Sequence, residues 1–83
     1  MIHTASPVVI DRNPEEDELV KPAVSGNTAV MNACVKYGVE RVVITSSVSA
    51  IAYGQDEFPE VYDESHFTDP TISNLSPYIK SKT

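Results

Sequence analysis

Tyr78 and Lys82 stand four residues apart near the end of the chain, in the stretch SPYIKSKT. Four residues is slightly more than one helical turn, so a helix here would place the phenol and the ammonium on the same face. A phenol that transfers protons needs a positive neighbour to stabilise its anion, and Lys82 would provide that charge. The pair is therefore a candidate acid/base for a substrate oxygen.

A row of hydroxyls, Thr45, Ser46 and Ser47, ends the β-branched stretch RVVITSS. In open α/β sheets, ligands bind outside the carboxyl ends of the strands, where these hydroxyls would lie. Ser47 would hydrogen-bond a substrate carbonyl while Tyr78 transfers a proton to or from the same oxygen, and a cofactor would carry a hydride. A tyrosine and a lysine at this spacing also occur by chance in many helices, so the elements around them have to support this interpretation.

The elements that position these residues are predicted to form a βαβ unit. Strands are expected near Ile2–Thr4 and Arg41–Thr45, and the second should be buried on both faces because its apolar run does not alternate. Between them, apolar residues recur at helical spacing over roughly Glu18–Tyr37, with Gly38 as the stop signal. We expect the two strands to lie side by side and parallel, with the helix packed across them.

Local signals predict where the first helix begins. Asn13 and Pro14 have the character of a helix cap and a first helical residue. Pro22 interrupts the apolar pattern and predicts a kink or a later start. Cys34 falls among the apolar positions of this helix and is expected to be a core residue rather than a nucleophile.

A long surface loop is expected to lead to the second helix, since residues 52 to 73 show no sustained period. Ser76 and Pro77 then resemble a cap and a first helical residue. His3 and His66 have no partners at ligand spacing, so no metal site is expected.

Composition excludes several classes of function. The 83 residues are 41% hydrophobic and 22% charged, which is typical of one small folded domain. The net charge is −6 and the basic residues form no cluster, so neither nucleic acid nor a membrane surface is an expected partner. A single cysteine, no secretory signal and no run of about 20 apolar residues lead us to expect a cytoplasmic protein.

Several stretches together resemble a known family. VERVVITSSVSAI, YDESHFTDP and SPYIKSKT are similar to the extended short-chain dehydrogenase/reductases. The branch they most resemble contains dihydroflavonol reductases, cinnamoyl-CoA reductases and 3β-hydroxysteroid dehydrogenases. HTASPV and KPAVSGNTAVMNACVKYGV resemble the preceding strand end and helix of that branch. This resemblance covers essentially the whole chain and implies an α/β fold, part of a Rossmann-type doubly wound parallel sheet.

The resemblance implies an oxidoreductase, with NADP or NAD as cofactor, that interconverts a hydroxyl and a ketone or aldehyde on a small, hydrophobic substrate. Tyr78 would be the catalytic acid/base, Lys82 would stabilise the phenolate and hold the nicotinamide ribose, and Ser47 would orient the substrate oxygen. Ser46 is the alternative for the serine's role and is also expected, with Tyr78 and Lys82, to contact the cofactor. The remaining expected cofactor contacts, mostly through backbone groups, are Thr4, Ala5 and Ser6.

The three glycines, Gly26, Gly38 and Gly54, depart from the family's pattern. None lies in a turn between a strand and a helix, where the pyrophosphate-binding element would be. We therefore expect residues 1–83 to be an internal segment of a nucleotide-binding domain, with the glycine-rich part and the substrate-binding region outside it. On its own, this segment is expected to bind the cofactor weakly and to be inactive.

Two alternatives stay open at this point. Sugar-nucleotide epimerases and dehydratases share the same serine, tyrosine and lysine, although HTASP and YDESHFTDP favour the reductase branch. A truncated, non-catalytic chain is the other alternative.

Overall fold

A computed structural model describes residues 1–9, 12–54 and 59–83 of the chain. Along these residues, two short strands and two helices follow one another in the order strand, helix, strand, helix. The strands pair in parallel, so the predicted α/β class, a partial Rossmann-like βαβ arrangement, is confirmed.

The two strands are β1 (Ile2–His3) and β2 (Val43–Ile44). The backbone N–H of Val43 donates to the Met1 carbonyl at 2.9 Å, which anchors the parallel register. Both strands are shorter than predicted, and the expected burial of the second one on both faces is wrong. Val43 is 53% exposed and Ile44 is 42% exposed. The reason is that the first helix packs against the second helix and makes little contact with either strand, so its expected packing across both strands is wrong as well.

The long helix, α1 (Glu16–Lys36), begins two residues before the predicted Glu18 and well before Pro22, and its cap is Glu15 instead of the predicted Asn13. Its first turn is held by Glu18, whose carboxylate accepts from the Glu15 N–H at 3.2 Å. The same carboxylate binds both terminal nitrogens of the Arg12 guanidinium, at 2.8 and 2.9 Å. These bonds fix the helix start upstream of the proline, so a late start at Pro22 is wrong.

The end of α1 is the predicted one. Gly38 has a φ of 65°, a left-handed conformation that glycine adopts without strain. Its N–H donates to the Val35 carbonyl at 3.3 Å, and the Val39 N–H donates to the Cys34 carbonyl at 2.9 Å. This pair of bonds is the Schellman motif, which satisfies the last free carbonyls of a helix.

Leu19 and Cys34 are the buried apolar residues of α1, which confirms the core role predicted for the cysteine. Next to β2, a short 3₁₀ helix spans Val48–Ala50. The last helix, α2 (Pro77–Lys82), packs on both α1 and this 3₁₀ helix. In the described ranges, no helix is long and apolar enough to cross a membrane.

A loop joins the 3₁₀ helix to α2, as predicted. Residues 52–54 and 59–73 contain turns and bends but no helix or strand. The predicted loop also includes residues 55–58, which lie outside the described residues. Gly54 has a φ of 79°, and a Cβ added there would lie 2.8 Å from the Asp69 Cβ.

The same substitution at two glycines should change stability in opposite directions. Gly54→Ala should lower the free energy of unfolding by more than about 1 kcal/mol, because it combines a left-handed backbone with a clash. Gly26→Ala should raise it by about 0.5–1 kcal/mol, because this residue lies inside α1 and a Cβ there meets nothing within 4 Å. Urea unfolding followed by circular dichroism measures both changes. Equal effects of the two substitutions would contradict the local geometry.

Candidate active site

The carboxyl ends of the two strands border a cavity of about 220 Å³. Segments that follow β1 and β2 form one side of it, and residues of α1 and α2 form the other. This is the edge of a parallel sheet at which ligands bind in open α/β folds. The cavity is therefore the candidate active site.

Four of the residues singled out from the sequence line this cavity. Ala5 and Ser6 come from the end of β1, Ser46 from the end of β2, and Lys82 from α2. The other three, Thr4, Ser47 and Tyr78, lie outside the lining. Thr4 and Ser47 are next in sequence to lining residues, and Tyr78 lies about one helical turn before Lys82. The roles assigned to all seven stay predictions at this point.

Tyr78 and Lys82 lie on one face of α2, as their spacing predicted. The Lys82 ammonium lies 5.9 Å from the centroid of the Tyr78 ring, within the range of a cation–π contact. Ser76 caps this helix by accepting a hydrogen bond from the Ile79 N–H at 3.3 Å, which confirms the predicted helix start. Among the described residues, the Lys82 ammonium forms no ion pair, so its charge is available to a ligand.

Lys80, two residues earlier, has a different environment. Its ammonium lies 2.7 Å from a carboxylate oxygen of Glu16, the first residue of α1. Their side chains are 30% and 54% exposed, so water screens part of the attraction. This ion pair joins α2 to the start of α1, and the carboxylate of Glu16 offsets the charge of Lys80.

Ser47 is the cap of the 3₁₀ helix. Its hydroxyl oxygen accepts a hydrogen bond from the Ser49 N–H at 3.2 Å. A hydroxyl that accepts one bond keeps its own proton for donation. Because α2 packs against the 3₁₀ helix, the element capped by Ser47 and the element that carries Tyr78 are in direct contact.

Two lining residues of α1, Asn27 and Thr28, were not predicted from the sequence. They bring an amide and a hydroxyl into the cavity wall. The sequence does contain a signal for Thr28. It is the polar member of a row on one helical face that also contains Val24 and Met31. A polar residue within an apolar stripe is compatible with a solvent-exposed position as well, so the signal alone does not identify a cavity.

The loop contacts the segment after β2 through Thr68, whose side chain is buried. Its hydroxyl donates to the Ser49 carbonyl at 2.6 Å and accepts from the Tyr53 N–H at 3.2 Å. Its own N–H donates to the Ala50 carbonyl at 2.8 Å. These three bonds hold the loop on the segment that follows Ser47.

Two carboxylates organise turns on either side of Thr68. Asp63 accepts from the Ser65 hydroxyl at 2.6 Å and from the Ser65 N–H at 2.9 Å, and these bonds hold the pKa of Asp63 below its ordinary value. Asp69 is similarly bound by the Thr71 hydroxyl at 2.6 Å and N–H at 2.8 Å, which lowers the pKa of Asp69. The loop thus has two locally fixed turns before α2 begins.

Comparison with known proteins places the chain in a family of dehydrogenases and identifies reductases as its relatives. Residues 1–83 match the model of the 3-beta hydroxysteroid dehydrogenase/isomerase family. A cinnamoyl-CoA reductase of Medicago truncatula is 44% identical over 89 aligned residues, which cover 100% of this chain and 27% of that protein. A dihydroflavonol 4-reductase of Gerbera hybrida is 36% identical over 83% of this chain and 19% of its own length.

An anthocyanidin reductase of Vitis vinifera is 39% identical over 83% of this chain and 21% of its own length. The chain therefore spans about a quarter of the length of the curated relatives it matches. The three relatives are all named as reductases, although their substrates differ.

The ion pair between Lys80 and Glu16 should couple the two helices. A double-mutant cycle with Glu16→Gln and Lys80→Met should give a coupling free energy of about 0.2–1 kcal/mol at low salt, falling as salt screens the charges. Hydrogen exchange of α2 amides should speed up in Lys80→Met. Lys21→Met is the matched control, because Lys21 pairs with Asp17 within α1. A coupling energy that does not change with salt would contradict an ionic contact.

Protonation of the two turn carboxylates should weaken the loop at low pH. Because the folded pKa values of Asp63 and Asp69 are lowered, their contribution is complete above the ordinary carboxyl pKa. That contribution is lost as the pH falls through the lowered values. Ser65→Ala should raise the pKa of Asp63 and leave that of Asp69 unchanged, as measured by carbon NMR of the carboxyl groups. Thr71→Val should do the reverse, so each carboxylate is the control for the other.

Proposed function

We propose, because the chain belongs to the 3-beta hydroxysteroid dehydrogenase/isomerase family, that its strand-end cavity is part of the catalytic centre of a nicotinamide-dependent reductase. The resemblance to the dihydroflavonol and cinnamoyl-CoA reductase branch, predicted from the sequence, is confirmed by the relatives that match. The proposed reaction is the interconversion of a carbonyl group and a hydroxyl group on a small, hydrophobic molecule. Residues 1–83 would supply the acid/base group to a Rossmann-type domain that also contains a glycine-rich segment and a substrate-binding region.

The observation that supports this proposal is the position of Lys82. Its ammonium is unpaired among the described residues, lines the cavity at the strand ends, and lies 5.9 Å from the centroid of the Tyr78 ring. A positive charge at this place stabilises a phenolate and attracts an anionic cofactor. Lys80 also lines the cavity, but its ammonium lies 2.7 Å from a carboxylate oxygen of Glu16, which offsets its charge.

In the proposed mechanism, Tyr78 donates its phenolic proton to the carbonyl oxygen of the substrate as that oxygen becomes a hydroxyl. Lys82 stabilises the phenolate left behind until a proton is taken up from water. Ser47 donates a hydrogen bond to the same carbonyl oxygen and fixes its orientation, with Ser46 as the alternative for that role. In the reverse direction, the phenolate removes the proton from the alcohol.

The residues present suit one end of a nicotinamide cofactor. Lys82 and the hydroxyl of Ser46 offer hydrogen-bond donors for a ribose, and Ala5 and Ser6, which follow Thr4, offer backbone groups in the same lining. The volume of about 220 Å³ is below the ~300–1,000 Å³ typical of pockets for whole small molecules, so it suits a ring and its sugar. When bound, NADP or NAD supplies the hydride for the carbonyl carbon.

Reduction is favoured over epimerisation or dehydration by the relatives. The cinnamoyl-CoA, dihydroflavonol and anthocyanidin enzymes are all named as reductases, whereas a sugar-nucleotide epimerase would share only the serine, tyrosine and lysine. Their named substrates guide which carbonyl compounds to test first.

A hybrid enzyme tests the proposal. In this hybrid, residues 1–83 replace the matching segment of the Medicago truncatula cinnamoyl-CoA reductase, to which they are 44% identical. We expect the hybrid to oxidise NADPH in the presence of cinnamoyl-CoA, whose thioester carbonyl becomes the hydroxyl of a hemithioacetal and then, as coenzyme A leaves as the free thiol, the carbonyl of an aldehyde. Tyr78→Phe should lower kcat by about 10²–10⁴-fold, because it removes the proton donor and leaves the ring in place. Binding of NADPH, measured by calorimetry, should change little.

Tyr37→Phe is the matched control. Tyr37 is also a tyrosine beside a lysine, with the Lys36 ammonium 5.3 Å from its ring centroid. It lies nine residues past Thr28 of the cavity wall, about 13 Å further along the helix axis. It should therefore leave kcat unchanged. A hybrid that binds NADPH but turns over equally well with either substitution would overturn the roles proposed here.

A further inference from the structure

We propose that Thr68 is a positioning residue for the reaction, because its hydroxyl fixes the loop before α2 to the segment after Ser47. This inference rests on the proposed function. Thr68 does not line the cavity and has no proposed contact with substrate or cofactor. It acts by setting where the proton donor of α2 lies relative to the strand end.

The contacts of Thr68 are those of a two-sided clamp. Its hydroxyl uses its proton on the Ser49 carbonyl, at 2.6 Å, and a lone pair on the Tyr53 N–H, at 3.2 Å. These two groups lie four residues apart in a segment that has no strand pairing of its own. The hydroxyl therefore bonds two points of the segment that follows Ser47, one within the 3₁₀ helix and one beyond it.

Backbone contacts on both sides of the side chain extend the clamp. The Thr68 N–H donates to the Ala50 carbonyl at 2.8 Å, and the Asp69 N–H donates to the Tyr53 carbonyl at 3.2 Å. Gly54 lies so close to Asp69 that an added Cβ would be 2.8 Å from the Asp69 Cβ. The loop and the segment after β2 thus run in close contact over several residues.

Burial makes the hydroxyl energetically important. Thr68 is only 3% exposed, and Ser49 is also buried. Replacing the hydroxyl by a methyl group of similar size leaves the buried Ser49 carbonyl and the partly buried Tyr53 N–H without this partner. Buried polar groups that lose their partners are costly, so the segment would shift to find new ones.

A shift of this segment would displace the active site in two places, at Ser47 and at the start of α2. Ser47 is directly connected to Ser49 by the hydrogen bond that caps the 3₁₀ helix. In the other direction, the turn at Asp69 leads after a few residues to the cap of α2 at Ser76. Rates of proton transfer fall steeply with misplacement, and an error of about 1 Å can cost about 10²-fold.

The test uses the hybrid enzyme with three substitutions. Thr68→Val, which keeps the shape and removes the hydroxyl, should lower kcat by about 10- to 100-fold with the KM for NADPH changed less than about threefold. Thr68→Ser, which restores the hydroxyl, should recover most of the lost kcat. Ser65→Ala is the matched control, because the Ser65 hydroxyl donates to Asp63, at 2.6 Å, in an exposed turn that makes none of the contacts of Thr68.

A folding readout accompanies the kinetics. Hydrogen exchange of the Tyr53 amide should accelerate in Thr68→Val and not in Ser65→Ala, while amides of α1 stay protected in both. If Thr68→Val does not fold, Gly54→Ala takes its place, since it displaces Asp69 from the same contact and should give the same fall in kcat without a change in KM.

The outcomes separate this inference from the proposed function. If the unsubstituted hybrid is inactive, or does not depend on Tyr78, the proposed function is wrong, and this inference falls with it. If the hybrid is active and depends on Tyr78 but Thr68→Val turns over like Ser65→Ala, the positioning role alone is wrong. A fall in kcat that Thr68→Ser fails to recover would show that shape rather than the hydroxyl matters, and would also overturn it.

Discussion

Two strands that pair in parallel have to be joined by a crossover, and this constraint organises the rest of the chain. The bond from the Val43 N–H to the Met1 carbonyl belongs to this parallel pairing. Because both strands run in the same direction, the residues between them have to bring the chain back to the end of the sheet where β1 began. α1 supplies that return, with its start fixed by Glu18 and its end by Gly38. As a result, the carboxyl ends of both strands meet at one edge, where small and hydroxyl-bearing residues border a cavity.

Features governed by neighbouring residues were largely predictable from the sequence. The stop at Gly38, the cap at Ser76 and the shared face of Tyr78 and Lys82 all depend on spacing over a turn or less. The cap of α1 was predicted at Asn13, two residues before the observed cap at Glu15, whose N–H donates to the carboxylate that Glu18 also offers to Arg12. That outcome depends on Arg12, whose long side chain makes a contact that composition alone does not specify.

Features that depend on distant residues were not predictable. Nothing around Thr68 in the sequence indicates that its hydroxyl meets the Ser49 carbonyl, since the two residues are 19 positions apart. The exposure of Val43 was missed because a continuous apolar run predicts burial whatever elements lie nearby. Lys80 and Lys82 show the same limit on a smaller scale. They are identical side chains two residues apart, and the position of Glu16 in the fold gives an ion pair to Lys80, whereas Lys82 has none within residues 1–9, 12–54 and 59–83.

The reactivity of the Cys34 thiol can report local opening at the end of α1. Cys34 has the single thiol in the sequence, it is buried, and it lies in the last turns of α1, where its carbonyl accepts a bond of the Schellman motif. A thiol-specific reagent can reach the sulfur only when this end of the helix separates from its surroundings. The rate of labelling therefore measures the frequency of that separation at a single defined position, without any engineered cysteine or attached dye.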